Sequence, residues 1–308
     1  AIEKGHFCPV CYGTDMICYG HNPQGSQRIQ CRNCKKVWTP KKYQKEITHP
    51  QAIETVQLFI PFQGASAVQK LYVLVSLDAT RGNILHLSTN YTQHQTGDSL
   101  RYSYKGNTEP TMHHRDIVQK VDMREAQFLR RSQFDEIQYG SAVLKRNGKG
   151  AILRPVITAH GHFRILKIRY PDVKTHIISH ECFLRGAIIT AWADQFRQQQ
   201  GELWFVEEEI SDSNADTPWH FKGTTYHGWW QNQWQRWEQG NNCKMVCLLT
   251  GASLERGANV SLATSRCFIT WLTDQHDFTQ SALLSAGRVT QMLTSLALKY
   301  NESLTPSC

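Results

Sequence analysis

No apolar run in this 308-residue sequence approaches the roughly 20 residues that a membrane span requires. The start is polar and leads straight toward a cysteine pair, so no secretory signal peptide is expected. Internal repeats and low-complexity tracts are lacking, which argues against solenoid and disordered classes. There is no glycine-rich phosphate loop and no serine or cysteine nucleophile motif, so the common nucleotide-binding and acyl-transfer signatures are missing. Six of the ten cysteines (Cys18, Cys182, Cys243, Cys247, Cys267 and Cys308) have no paired spacing. They read as small buried hydrophobes in a reducing compartment, so the expected location is cytoplasmic. With 40% hydrophobic and 19% charged residues, the chain has the balance of a folded globular protein.

What the sequence does contain is a double cysteine knuckle. Cys8-Pro9-Val10-Cys11 and Cys31-Arg32-Asn33-Cys34 are separated by 19 residues. Four thiolates at this spacing suit one tetrahedral Zn²⁺, each tight turn delivering two ligands. Between the knuckles, Met16 to Gly20 reads as a strand, Asn22 to Gly25 as a turn, and Gln27 to Gln30 as the returning strand. Charge collects on the same segment. Residues 1–50 hold eight Lys and Arg against three acids, a net of +5 out of +8 for the whole chain. Arg28, Arg32, Lys35 and Lys36 flank the second knuckle and Lys41 and Lys42 follow it, a set suited to phosphate contacts on a polyanion.

The run Cys8-Pro-Val-Cys-Tyr-Gly together with Gln27-Arg-Ile-Gln-Cys-Arg-Asn-Cys-Lys-Lys-Val-Trp38 resembles the N-terminal zinc ribbon of bacterial insertion-sequence transposases. Arg28, Lys36 and Trp38 stand where that family carries basic and aromatic residues. The likeness covers about residues 6–45 and implies double-stranded DNA as partner.

The rest reads as a mixed α/β body. Val56 to Phe62 suits a strand or a short helix. Leu71 to Asp78 reads as a strand, Asn83 to Tyr91 as a second and Leu100 to Tyr104 as a third. A carboxylate closing a first strand before two more resembles the opening of the RNase H-like fold of transposases and integrases. The resemblance implies Mg²⁺ held between carboxylates, with Asp78 as the first and Glu207 or Glu208 as another. A turn-forming role for Asp78 stands beside this. A helix is expected from Arg115 to Arg131 and a turn at Asn147 to Gly150.

A second frame for the same fold lies further on. It has strands at Ile152–Ala159, Phe163–Tyr170 and Val173–His180, a helix at Cys182–Gln198, and a strand at Glu202–Glu207. In that frame His160 occupies the place of the first acid. His160, His162, His176 and His180 form a cluster suited to a second metal or to proton transfer, with chance clustering as the alternative. A helix over Gly228–Trp237 would put Trp230, Trp234 and Trp237 on one face, facing bases or the core. A strand at Cys243–Leu249, another at Arg266–Leu272 and a helix at Thr279–Tyr300 complete the reading.

The expected organisation is a zinc ribbon with basic linker (1–50), a β-rich segment with a helix (51–140) and an RNase H-like body (141–308). The expected function is zinc-dependent DNA recognition or regulation by a relative of insertion-sequence transposases, with a homo-oligomer as a further expectation. An active Mg²⁺-dependent recombinase or nuclease using Asp78, and an RNA-associated zinc protein, are the alternatives.

Overall fold

The computed structural model describes residues 15–39, 49–64, 67–92, 116–138, 151–250 and 254–304. The chain divides into two compact units, 1–48 and 49–308.

In the first unit, β1 (Met16–His21), β2 (Gln27–Cys31) and β3 (Val37–Trp38) form an antiparallel sheet in the order β1-β2-β3. Asn22 and Gly25 make the first turn. The Asn22 side chain accepts from Ser26 N at 2.7 Å, and Gly25 takes φ +76°, which costs least where there is no Cβ. Ile29 and Cys31 are the buried residues of this small sheet.

The second unit is built on one eight-stranded mixed sheet. Its strands are β4 (Ala52–Gln63), β5 (Val68–Asp78), β6 (Ile84–Thr89), β9 (Thr175–Ser179), β10 (Glu202–Glu209), β11 (His220–His227), β12 (Asn232–Gln239) and β13 (Asn242–Thr250). A short pair, β7 (Tyr91–Thr92) and β8 (Ala151–Ile152), lies apart from it. The order across the large sheet is β11-β12-β13-β10-β9-β4-β5-β6. β4, β9 and β10 run parallel, and every other pairing is antiparallel.

The helices are α1 (Ile117–Gln138), α2 (Pro155–Arg169), α3 (Cys182–Ala191), α4 (Ala193–Arg197), α5 (Ala263–Thr273), α6 (His276–Thr279) and α7 (Ala286–Leu304). Alternation along the strands separates two cores. Val73, Val75 and Leu77 join Phe268 and Leu272 of α5 and Val289, Leu293 and Leu296 of α7. Tyr72 and Leu74 join Ile117 and Val121 of α1, Phe163 and Leu166 of α2, and Leu184 and Ile188 of α3. Each fully buried apolar side chain of this size contributes about 1.5–3 kcal/mol, so both faces of the sheet have to be covered.

Several expectations need correction. Strands on both sides of the anticipated 140/141 boundary share one sheet, so residues 49–308 are one unit. The meander is β4-β5-β6, one strand earlier than a start at Leu71, which makes Leu71–Asp78 part of the second strand. The two strands expected within 152–170 are instead helix α2, started by Pro155 in its first turn, where a missing N–H costs nothing. Gly228–Trp237 is a turn leading into β12, and Arg266–Leu272 lies within α5. The last helix begins at Ala286, preceded by short turns. The anticipated strand at 100–104 and turn at 147–150 lie outside the described residues.

Candidate functional site

β9 stops at Ser179, whereas β4 runs on to Gln63 and β10 to Glu209. The flanking strands therefore open a cleft above the end of β9, at the carboxyl ends of parallel strands, where α/β sheets commonly bind ligands. It has a volume of about 270 Å³. Its polar lining comes from Gln57, Arg124, Ser179, His180, Glu207, Glu208, Ser265 and Arg266.

Adjacent strand residues point to opposite faces, and this splits the acids of β10. Glu207 faces α1, with its Oε2 3.0 Å from Arg124 Nε and 3.7 Å from His180 Nδ1. Burial pushes the Glu207 carboxyl up, but contact with His180 and the charges of Arg124, His180 and Lys120 outweigh it and hold the group below its ordinary value. Glu208 faces α5, where it pairs with Arg266 and accepts from Leu262 N at 2.8 Å. Glu209 pairs with Lys120 of α1.

His180 follows β9 and sits in a cage of Phe128, Phe205 and Trp234, with ring centroids 4.7–4.8 Å away. Its Nε2 lies 3.0 Å from Glu125 Oε1. A carboxylate only accepts, so this nitrogen carries the hydrogen. On the other face, buried Glu54 of β4 accepts from Ser265 N at 3.0 Å and from Ser265 Oγ at 2.9 Å. Burial raises the Glu54 carboxyl, bonds from Ser265 and Thr264 pull it back in part, and the charge of Glu208 adds to the rise. Lys244 is buried and donates to the carbonyls of Ala258 and Val260 at 2.7 Å each. Its burial lowers the ammonium to about 8. Chemically the cleft is a lattice of paired charges, its acids each engaged by a cation or by hydrogen-bond donors.

Asp78 stands elsewhere. It is opposite Ile53, level with His176 of β9 and Leu203 of β10, four residues short of Glu207 along the strand direction and three strands away. The offset along the strands alone is about 13 Å. Its Oδ1 accepts from Thr80 N at 2.9 Å and Arg81 N at 3.1 Å, the work of a turn-forming aspartate. Asp78, Glu207 and Glu208 thus do not converge, and as a set they do not fit Mg²⁺ coordination.

The four histidines do not converge either. His162 lies between Ser76 and Ser88, at 2.7 Å from each hydroxyl. His176 packs on Trp192 with centroids 4.3 Å apart. His160 is on α2 and His180 is in the cleft. Among the described residues no group of three or more His, Cys, Asp or Glu is placed to hold a metal ion. Trp234 is buried, Trp230 is exposed beneath Arg185 at 5.2 Å, and Trp237 meets Phe221 edge-on at 5.3 Å, so the three indoles share no face.

In the first unit, Cys31 and Cys34 bracket a tight turn. Cys31 N donates to Lys36 O at 2.9 Å, Lys35 N donates to Cys31 O at 3.0 Å, and Lys35 adopts φ +61°. Cys31 is buried and Cys34 exposed at the two ends of this turn. Cys8, Cys11, Lys41 and Lys42 lie outside the described residues. Arg28 lies over the Tyr19 ring at 5.8 Å, and Arg32 Nε is 3.7 Å from Asp15. Lys35 and Lys36 are exposed on or beside the turn.

Glu54, Glu125 and Arg266 escaped the sequence reading, and Arg124 reads there only as a basic residue on the 115–131 helix. A glutamate in an otherwise apolar strand was the available signal for Glu54. Nothing local marks Glu125 and Arg266, which matter because of what faces them. No helix among the described residues is long and apolar enough to cross a membrane. Compared with family models, curated proteins and solved structures, the chain matches none of them.

Proposed function

We propose that this chain is a zinc-ribbon DNA-binding protein related to insertion-sequence transposases, whose RNase H-like body serves recognition or regulation rather than strand cleavage. The RNase H-like reading rests on the run β6-β5-β4-β9-β10, an antiparallel meander followed by two parallel strands joined through α3. The observation that carries the non-cleaving reading is the state of the acids. Enzymes of that fold hold metal between open carboxylates, the first of them on the first strand. Here the acid on that strand, Glu54, is bonded to Ser265, and Glu207 and Glu208 are tied to Arg124 and Arg266.

Cys8, Cys11, Cys31 and Cys34 would hold the zinc, which fixes the two knuckles together when bound. Arg28, Arg32, Lys35, Lys36, Lys41 and Lys42 would then meet backbone phosphates, which position the protein without reading sequence.

The test is a fluorescence-anisotropy titration with duplex DNA over a range of salt. Lys35→Glu/Lys36→Glu should weaken binding and reduce the slope of log affinity against log salt by about 0.9 for each phosphate no longer engaged. Arg164→Glu on α2 should leave both nearly unchanged. Equal affinity and slope for wild type and the Lys35/Lys36 variant would sink the reading. Tighter binding to a matched RNA would transfer it to the RNA-associated class. Mg²⁺-dependent nicking of the duplex by wild type would overturn the non-cleaving part.

A further inference from the structure

Away from the cleft, α1 and the edge hairpin β11–β12 bring three side chains into line. His227 ends β11, and Thr225 lies two residues before it, so the two side chains leave the strand on the same face. His227 Nδ1 is 2.6 Å from Asp122 Oδ1 of α1, and His227 Nε2 is 2.7 Å from Thr225 Oγ1. The carboxylate only accepts, so Nδ1 carries the ring hydrogen. In the neutral ring Nε2 is then the acceptor, and the Thr225 hydroxyl donates to it. A hydroxyl, a base within reach of it and a carboxylate orienting that base make up the constellation that activates a nucleophile, recognised by geometry and not by chain order.

Exposure fits the same roles. The imidazole is 7% exposed, whereas Thr225 is open to solvent. At the Asp122 end of the line, beside Gly228, opens a recess of about 540 Å³, bounded by Asp122, Glu125, Ala126, Gly228, Trp229 and Gln231, within the range that takes a small organic molecule. Trp229, 76% exposed, gives it an apolar wall, and the Glu125 carboxylate disfavours an anion. Gly228 is required there, since a Cβ would collide with the Glu125 carboxylate and the backbone has φ +78°.

We propose that Thr225 is a nucleophilic hydroxyl, activated by His227 and oriented by Asp122, that accepts the acyl group of small uncharged esters. His227 Nε2 takes the hydroxyl proton as Thr225 Oγ1 bonds to the ester carbonyl carbon. The carbon–alkoxy bond breaks and the leaving alcohol takes that proton from the imidazolium. Water then attacks the acyl-threonine, giving its proton to His227, and the Thr225 oxygen recovers a proton as the acid leaves. One ester and one water become one acid and one alcohol, with no oxidant or reductant.

The same contacts would also fasten α1 to the hairpin, so the test must read chemistry as well as stability. The full chain is treated with p-nitrophenyl acetate, quenched in acid, digested and sequenced by mass spectrometry. Acetyl is expected on Thr225 of the wild type and at the same position in Thr225→Ser, and no acetyl at this position in Thr225→Ala. Asp122→Asn, an exposed position, should fold normally and acetylate about tenfold more slowly or worse, and His227→Gln should do the same. An unmodified Thr225 in the wild type together with p-nitrophenol release no faster than from Thr225→Ala, or equal rates for wild type and Asp122→Asn, would overturn the proposal.

Discussion

Glu207 and Glu208 are neighbours in β10 whose carboxylates leave the sheet on opposite faces, the first to Arg124 of α1 and the second to Arg266 of α5. One dipeptide therefore ties the sheet to a helix on either side. Arg124→Met should strand Glu207 without its cation and cost about 3 kcal/mol, read as a lower urea midpoint. Glu207 has a depressed folded value, so its contribution is present above its ordinary 4.5 and is lost as pH falls through the lower folded value. Wild type should lose more stability than Glu207→Gln as pH falls through and below about 4.5. Parallel losses in the two proteins would mean the pairing is not what stabilises this corner.

Zinc is expected at one equivalent per chain, and Cys31→Ser should lose it. Metal analysis of the two proteins checks this directly, and equal zinc content would refute the assignment. Chelation should unfold the small three-stranded sheet and leave the 49–308 unit folded, because so small a sheet buries little apolar surface.

Asp78→Ala removes the acceptor for Thr80 N and Arg81 N and should cost about 1 kcal/mol. Affinity for duplex DNA should not change. A loss of binding with full stability would show that Asp78 belongs to the interface.

Lys244 gives a signature in alkali. Its ammonium is lowered from 10.5 to about 8 in the folded chain, so between those values the unfolded chain holds more protons. Stability should therefore rise with pH over that window, by up to about 3 kcal/mol, on top of any other titration. Lys244→Met should lack the rise. A denaturation series at rising pH that gives the same curve for both would remove Lys244 as its source.

Much of the sheet was legible because its strands announce themselves locally. Leu71–Asp78 is β-branched and aromatic, and Glu202–Glu207 and Cys243–Leu249 are compact apolar runs between turns. The errors share a cause, since short apolar stretches have no decisive period. Ile152–Tyr170 carries β-branched residues at both ends, yet Pro155 starts a helix whose two flanks are both partly buried. Trp230, Trp234 and Trp237 happen to match the helical period, and the positive φ of Gly228 and Gly240 reveals the hairpin only once seen. The cleft was legible at His180, Glu207 and Glu208, though not as one site. Arg124, Ser265 and Arg266 reach it from sequence positions far apart, and no spacing rule joins them.

The pairing of β4 with β9 has a temporal consequence. Ile53 meets His176 only after more than a hundred intervening residues have been made. As the chain leaves the ribosome, the β4-β5-β6 meander can close early, but the outer edge of β4 stays unpaired until β9 emerges. An exposed apolar edge is a template for wrong partners. Non-local pairing of this kind also slows folding. The middle of the sheet, which holds the cleft together once formed, is thus sealed only after β9 has emerged.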